Sequence, residues 1–189
     1  VGQQGGRFFA IVDGASGTNC TDPNPTCKTE DLTVSHNTVD DVGDLLFCVT
    51  TNGFINLDWK DNLINGNSGR GIFDCGGATS SSYGSTRLTQ AWGATWNWDY
   101  NHIALSGTSG EDSAQNPQAM NAYPTNASTF MWTNRAARDY TLAAGSPAKN
   151  TASDGTDRGV NFVTYNAARA GNVPADTQAP AVPTNLMVQ

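Results

Sequence analysis

The sequence predicts an all-β protein, a parallel β-solenoid of about three to four coils interrupted by long loop excursions. The first observation behind this is a repeat. The segment DLTVSHNTVDDVGDLLFCV from residue 31 and the segment INLDWKDNLINGNSGRGIFDC from residue 55 superpose when Asn37 is placed on Asn62. Val34 then falls on Trp59, Val39 on Ile64 and Cys48 close to Cys75, and a third copy, WNWDYNHIALSG, puts Asn101 in the same place. The second observation is composition. Charged residues are 14% of the 189-residue chain, and Gly, Asn, Ser and Thr are abundant, which suits short strands joined by many turns. The third is length: the apolar runs are too short for stable helices.

Each element follows in order. Residues 7–12, RFFAIV, read as a strand, and the turn-rich stretch 13–30 is a loop containing Cys20 and Cys27 around TDPNPT, the setting of a short disulfide loop. Leu32 and Val34 alternate with Thr33 and Ser35, as in a half-buried strand. After His36 and the corner Asn37 come the short strand Thr38–Val39, the turn DDVGD and the apolar strand LLFCV. In a coil of this kind each strand pairs with its equivalent one turn on, about 4.8 Å away. Inward ladders are then Val34–Trp59–Trp98 and Val39–Ile64–Ile103, with Phe9 and Ile11 above Leu46 and Cys48, and these above Phe73 and Cys75. Cys48 and Cys75 become stacked neighbours, as a bridge or as two buried thiols. The corner asparagines tolerate a left-handed backbone and hydrogen-bond along the stack.

Residues 76–95, GGATSSSYGSTRLTQAWGAT, read as a loop excursion, and 106–130 as a second. Residues 130–165 are expected to close the bottom of the stack. The upper end, at 7–12, is expected to be covered by upstream chain or another subunit, because terminal coils need a cap.

Bulk properties bound the function. A net charge of −7 argues against nucleic acid, which needs clustered Lys and Arg, and suits a neutral polysaccharide or bound cations. No apolar run reaches the ~20 residues that cross a bilayer. Four cysteines, without the paired spacing of a zinc site, suggest an oxidising, extracellular compartment.

The string DYTLAAGSPAKNTASDGTDRGV at 139–160, with the strand–asparagine–strand motif LTVSHNTV, resembles the closing segment and coils of bacterial right-handed parallel β-helix proteins of the pectate-lyase-like superfamily. The resemblance covers about residues 5–165. It implies a right-handed β-helix over 1–165, a secreted carbohydrate-associated protein, and a groove on the sheet built from 7–12, 45–49 and 71–75. The tail DTQAPAVPTNLMVQ is similar to the first strand of a fibronectin type III domain, which makes 166–189 a linker and a truncated module.

Lyases of that superfamily hold Ca²⁺ with carboxylates and use Arg or Lys as base. The resemblance therefore offers Asp44, Asp74, Arg70 and Arg7 as catalytic candidates, and Asp40, Asp41 and Asp44 as calcium ligands. Arg7, Asp44 and Arg70 also read as an Arg–Asp–Arg ladder that fixes register. Asp58, Lys60 and Asp61 read as a solvated face, and His36 and His102 as turn residues. Among the aromatics between 83 and 100, Tyr83, Trp92 and Tyr100 are the candidates for stacking on sugar rings, with Trp96 and Trp98 turned inward. The tryptophans also read as a plug in the imperfect third coil. The expected function is polysaccharide binding or scaffolding; the alternatives are a polysaccharide lyase or glycoside hydrolase, and a structural or adhesive stalk.

Overall fold

The computed structural model describes residues 7–12, 30–42, 44–49, 54–66, 73–75, 84–105 and 120–171. The chain is mostly β. Nine strands form three parallel three-stranded sheets: β1 (Arg7–Val12), β4 (Asp44–Val49) and β7 (Phe73–Cys75); β2 (Glu30–Ser35), β5 (Ile55–Lys60) and β8 (Trp96–Asp99); β3 (Thr38–Val42), β6 (Leu63–Gly66) and β9 (His102–Leu105). Each sheet takes every third strand, so the chain visits the three sheets in turn and each pass lies against the one before. The expected registers hold: Val34 pairs with Trp59 and Trp59 with Trp98, Val39 with Ile64 and Ile64 with Ile103, Phe9 with Leu46, and Cys48 with Cys75. The side chains of Cys48 and Cys75 lie outside the described set, as do Cys20 and Cys27 entirely.

The inward positions make one apolar core. Trp59 and Trp98 are buried and stacked, with ring centroids 4.9 Å apart and planes 19° apart. Phe8 and Phe9 meet Trp59 edge-on at 6.0 and 6.1 Å. The expected loop at 76–95 is instead partly helical: α1 spans Gly84–Trp92. Leu88, Ala91 and Trp92 stand at helical spacing and are buried, and Trp92 lies 4.9 Å from Phe54. Gly93 then stops the helix in the left-handed region (φ 62°), donating its N–H to Thr89 O.

The corners work differently from the expectation. The left-handed residues are those before the asparagines, His36 (φ 53°), Asp61 (φ 59°) and Tyr100 (φ 57°). That bend lets each asparagine reach the next pass. The backbone N–H and Nδ2 of Asn37 both donate to Asn62 Oδ1, those of Asn62 to Asn101 Oδ1, and those of Asn101 to Asn121 Oδ1, all at 2.8–3.1 Å. Asn121 is a fourth rung, and the bridge between His102 and Ala122 starts a fourth pass.

Tyr123 packs against the main core beside the last pass, and residues 124–160 lie along the side of the stack. They cover the outer face of the β3–β6–β9 sheet and run along the asparagine corner. Adjacent Leu63 and Ile64 are both buried: Ile64 faces the main core, while Leu63 joins Ala104, Phe130, Leu142 and Ala148 in a second cluster. His102 belongs to this covered face rather than to a turn. It is 4% exposed, meets Phe130 edge-on at 5.1 Å, and is pushed down to about 4 by burial and by the nearby Arg158 charge. A short hairpin, β10 (Trp132–Asn134) and β11 (Asp139–Leu142), leads into the segment that fastens the corner. There Arg158 donates to the carbonyls of Asn101, Met120 and Thr151. Ser153 donates its N–H and Oγ–H to buried Asp61, each at 2.6 Å. Gly159 N–H donates to Asp61 O and Val160 N–H to Thr38 Oγ1. A Cβ at Gly159 would collide with Thr38 Oγ1 and Leu63 Cβ, so the backbone there lies directly on the sheet. Asp61 is thus a buried latch point and not part of a solvated face. Finally α2 (Phe162–Gly171) runs through the expected domain boundary at 165, and the tail resembling a fibronectin strand lies outside the described residues.

Two outcomes follow. Asn62→Ala takes the Asn62 side chain away from the Asn37 donors and from the Val34 and Lys60 carbonyls, each loss costing about 1–3 kcal/mol, while Asn101 Oδ1 keeps only the backbone N–H; Asn37 is only half-buried at the first rung. Urea unfolding should show Asn62→Ala losing about 3 kcal/mol or more, and Asn37→Ala roughly a third of that; equal losses would refute the ladder as the main restraint. Because the folded-state pKa of His102 lies below its ordinary value of 6.5, its contribution to stability is complete above pH 6.5. It shrinks as pH falls toward 4, by about 3 kcal/mol in all, as the unfolded chain takes up a proton the fold refuses. His102→Gln should flatten the stability–pH curve in that window, and an unchanged slope would count against it.

Candidate functional site

The groove that the described residues form lies on the outer face of the β2–β5–β8 sheet, while most side chains of the β1–β4–β7 sheet, where the resemblance placed a groove, lie outside the described set. It holds about 420 Å³ and is lined from Asp31–Thr33 across Asn56–Asp58 to Ala94–Asn97. Strand alternation sends Leu57 and Trp59 inward and turns Asp58 and Lys60 out. Parallel register then stacks the outward groups in rungs: Thr33, Asp58 and Asn97 on one, Ser35, Lys60 and Asp99 on the next. A further level begins where Asp31 (φ 55°) and Asn56 (φ 56°) hold left-handed conformations. Both side chains are of the type that tolerates such a backbone at little cost.

The rungs are hydrogen-bonded along the stack. Asn56 Nδ2 donates to Asp31 Oδ1 at 2.7 Å, and Asn97 Nδ2 to Asp58 Oδ1 at 2.7 Å. Lys60 Nζ lies 2.9 Å from Asp58 Oδ2. Burial alone pushes the Asp58 carboxyl up, but the Lys60 and Asn97 bonds outweigh it and hold it below the ordinary carboxylate range. Thr95 closes the upper level, accepting from Asn56 N–H and donating to Trp92 O. Half-buried Trp96 joins Leu32, Leu57 and Ala94 in the apolar part of the lining, packs against the main core in register with Leu57, and donates its indole N–H to Thr89 Oγ1 of α1 at 3.2 Å. The helix therefore holds the aromatic in place.

The sequence-predicted site residues whose side chains are described stand apart from the groove lining. Trp92, the last residue of α1, is 2% exposed in the core and presents no face to a sugar. Tyr100 is a half-buried corner residue away from the groove lining, and Tyr83 lies outside the described residues. Arg7 pairs in register with Asp44, as the ladder reading expects, while Asp74 pairs with Phe47, so Asp44 and Asp74 occupy different rungs. The side chains of Arg7, Asp44 and Asp74 are outside the described set, and so is all of Arg70.

Asp40 is committed elsewhere. Arg135 grips it through Nε and Nη2 at 2.9 and 2.7 Å, and Asn65 Nδ2 and Tyr140 Oη donate to it as well. Burial pushes its carboxyl up, yet these bonds together hold it below the ordinary range, so it acts as an anchor for the hairpin rather than as an open calcium ligand. Asp41 is an exposed residue in the left-handed region (φ 62°). Among the described residues no group of three or more His, Cys, Asp or Glu side chains is arranged to hold a metal ion.

Sequence reasoning missed Asp31, Asn56 and Asn97 as groove residues, and it assigned Trp96 to the interior alone. The available signal was the repeat itself: the alignment on the asparagines also stacks Thr33 on Asp58 and Asn97, an outward row of polar residues beside a half-inward tryptophan. No family model, curated protein or solved structure matches the chain.

Proposed function

We propose that this chain is part of a right-handed parallel β-helix and that it binds polysaccharide along the outer face of the β2–β5–β8 sheet, as a secreted carbohydrate-associated module. The observation that carries the reading is the open groove of about 420 Å³ with Trp96 in its lining. Rungs repeat across the strands at about 4.8 Å, so a chain molecule of repeating hydroxyls meets similar polar groups again and again. An aromatic held by a hydrogen bond to α1 offers a pre-positioned apolar surface, which lowers the cost of ordering on binding. The closing segment at 139–160 and its likeness to secreted β-helix proteins support the extracellular setting.

A second reading, a scaffold or stalk, is favoured by one specific observation: Asp31, Asn56, Asp58, Lys60 and Asn97 already bond to each other, as side chains that only fix register would. Of the calcium candidates behind the lyase reading, Asp40 is already bonded to Arg135 and Tyr140.

Affinity electrophoresis in gels containing soluble polysaccharides separates these. The chain should be retarded, Trp96→Ala should migrate freely with an unchanged far-ultraviolet spectrum, and Trp92→Ala should lose the fold itself by about 3–5 kcal/mol. Free migration of the intact chain in every gel would select the scaffold. Growth of ultraviolet absorbance from unsaturated sugar ends would select the lyase.

A further inference from the structure

Among the described residues that line the groove, Trp96 is the one aromatic, and an indole carries a single N–H. That hydrogen goes to Thr89 Oγ1 at 3.2 Å. The ring therefore has no donor left for a ligand and offers it an apolar surface, whose worth depends on how firmly it is held. Trp96 is half-buried, packed against the main core and in register with Leu57. The bond to Thr89 pins its polar edge to α1 at an exposed position. Thr89 is itself fixed. Its neighbour Leu88 and the following Ala91 and Trp92 are buried, and its carbonyl accepts from Gly93 N–H at 2.8 Å. Phe54 N–H donates to Ala91 O at 2.7 Å and Leu57 N–H to Thr95 O at 3.0 Å, so backbone bonds tie α1 and its exit to the β5 segment. A β-branched side chain on such a helix has little rotamer freedom. Thr89 nevertheless is exposed and stands outside the groove lining.

Resting on the polysaccharide reading above, we infer that Thr89 is a positioning residue for sugar binding, acting through Trp96 without lining the groove itself. A ring already fixed in its bound orientation loses no rotamer freedom when a glycan stacks on it, whereas a released ring has to be ordered by the ligand. The sugar meets this ring through its C–H groups and not through a hydrogen bond from the indole. A helix inserted between two strands of the stack thereby sets the affinity of a face it does not form.

Two measurements on the full chain test this, with Thr89→Val, which removes the acceptor at nearly constant shape, and Thr89→Ser, which keeps the hydroxyl. The first needs no ligand. In nitrogen–proton spectra the Trp96 indole signal is identified by its loss in Trp96→Phe. In Thr89→Val that signal should shift and exchange faster with water, while those of Trp59, Trp92, Trp98 and Trp132 stay in place. The second is affinity electrophoresis in a soluble polysaccharide that retards the unaltered chain. Thr89→Val should raise the apparent Kd about five-fold, the scale of ordering one side chain on binding, and Thr89→Ser should restore most of the retardation. Both variants should melt with the unaltered chain. An unmoved Trp96 signal, unchanged retardation of Thr89→Val, or Thr89→Ser binding as weakly as Thr89→Val would each overturn the inference. The groove reading would survive those results as long as Trp96→Ala migrates freely. Free migration of the unaltered chain in every polysaccharide would overturn the groove reading, and the binding role of Thr89 with it, even where the indole signal shifts.

Discussion

The asparagine ladder is the interaction on which the rest depends. Each rung joins one pass to the next through two bonds to a single carbonyl oxygen, and the inner rungs are fully buried. In that setting a misregistered pass would leave several polar groups without water or partner, a penalty of several kcal/mol at about 1–3 kcal/mol per group. Slippage by one residue would also exchange every inward and outward side chain. The ladder therefore does more than add stability: it decides which residues become core and which become surface. The Trp59–Trp98 stack and the polar rungs of Asp58 and Asn97 are two results of the same register.

Two sheets use that register in opposite ways. On the β3–β6–β9 sheet the outward positions include Leu63, His102 and Ala104, and the chain's own later segment lies over them. On the β2–β5–β8 sheet the outward positions are Thr33, Ser35, Asp58, Lys60, Asn97 and Asp99, and among the described residues the face stays open as a groove. A face apolar enough to need cover finds it within the chain, and a face with satisfied polar rows does not need it. That contrast leaves the groove on the β2–β5–β8 sheet uncovered by the described residues. The Arg135–Asp40 pair ties the hairpin down on the covered side, bidentate and reinforced by Tyr140.

Much of this was legible in the residues. The three asparagines at like positions gave the register, and the inward ladders followed from alternation alone. Three features escaped for identifiable reasons. The helix α1 is nine residues long and sits in a Ser- and Gly-rich stretch, so Leu88, Ala91 and Trp92 gave too few apolar positions to outweigh its surroundings. Burial of Trp92 followed from that helix and removed it as a sugar contact. The two-sided burial at Leu63–Ile64 was present as adjacent apolar residues, but which segment covers Leu63 depends on contacts far along the chain. Asp61 looked like one charge in a surface run, and only the Ser153 bonds to its carboxylate reveal it as buried.

Those Ser153 bonds bear on how the passes come apart. Contacts within the ladder join residues 25, 39 and 20 positions apart, the range typical of arrays whose units stack independently on their neighbours. The fastening at the corner spans much more chain: 92 residues from Asp61 to Ser153 and 122 from Thr38 to Val160. Such an array would ordinarily melt from its ends, pass by pass. Here Val160, Gly159 and Arg158 bond to the first, second and third passes at once. Opening one pass breaks bonds that also hold its neighbours, so these passes are tied to a shared segment as well as to one another.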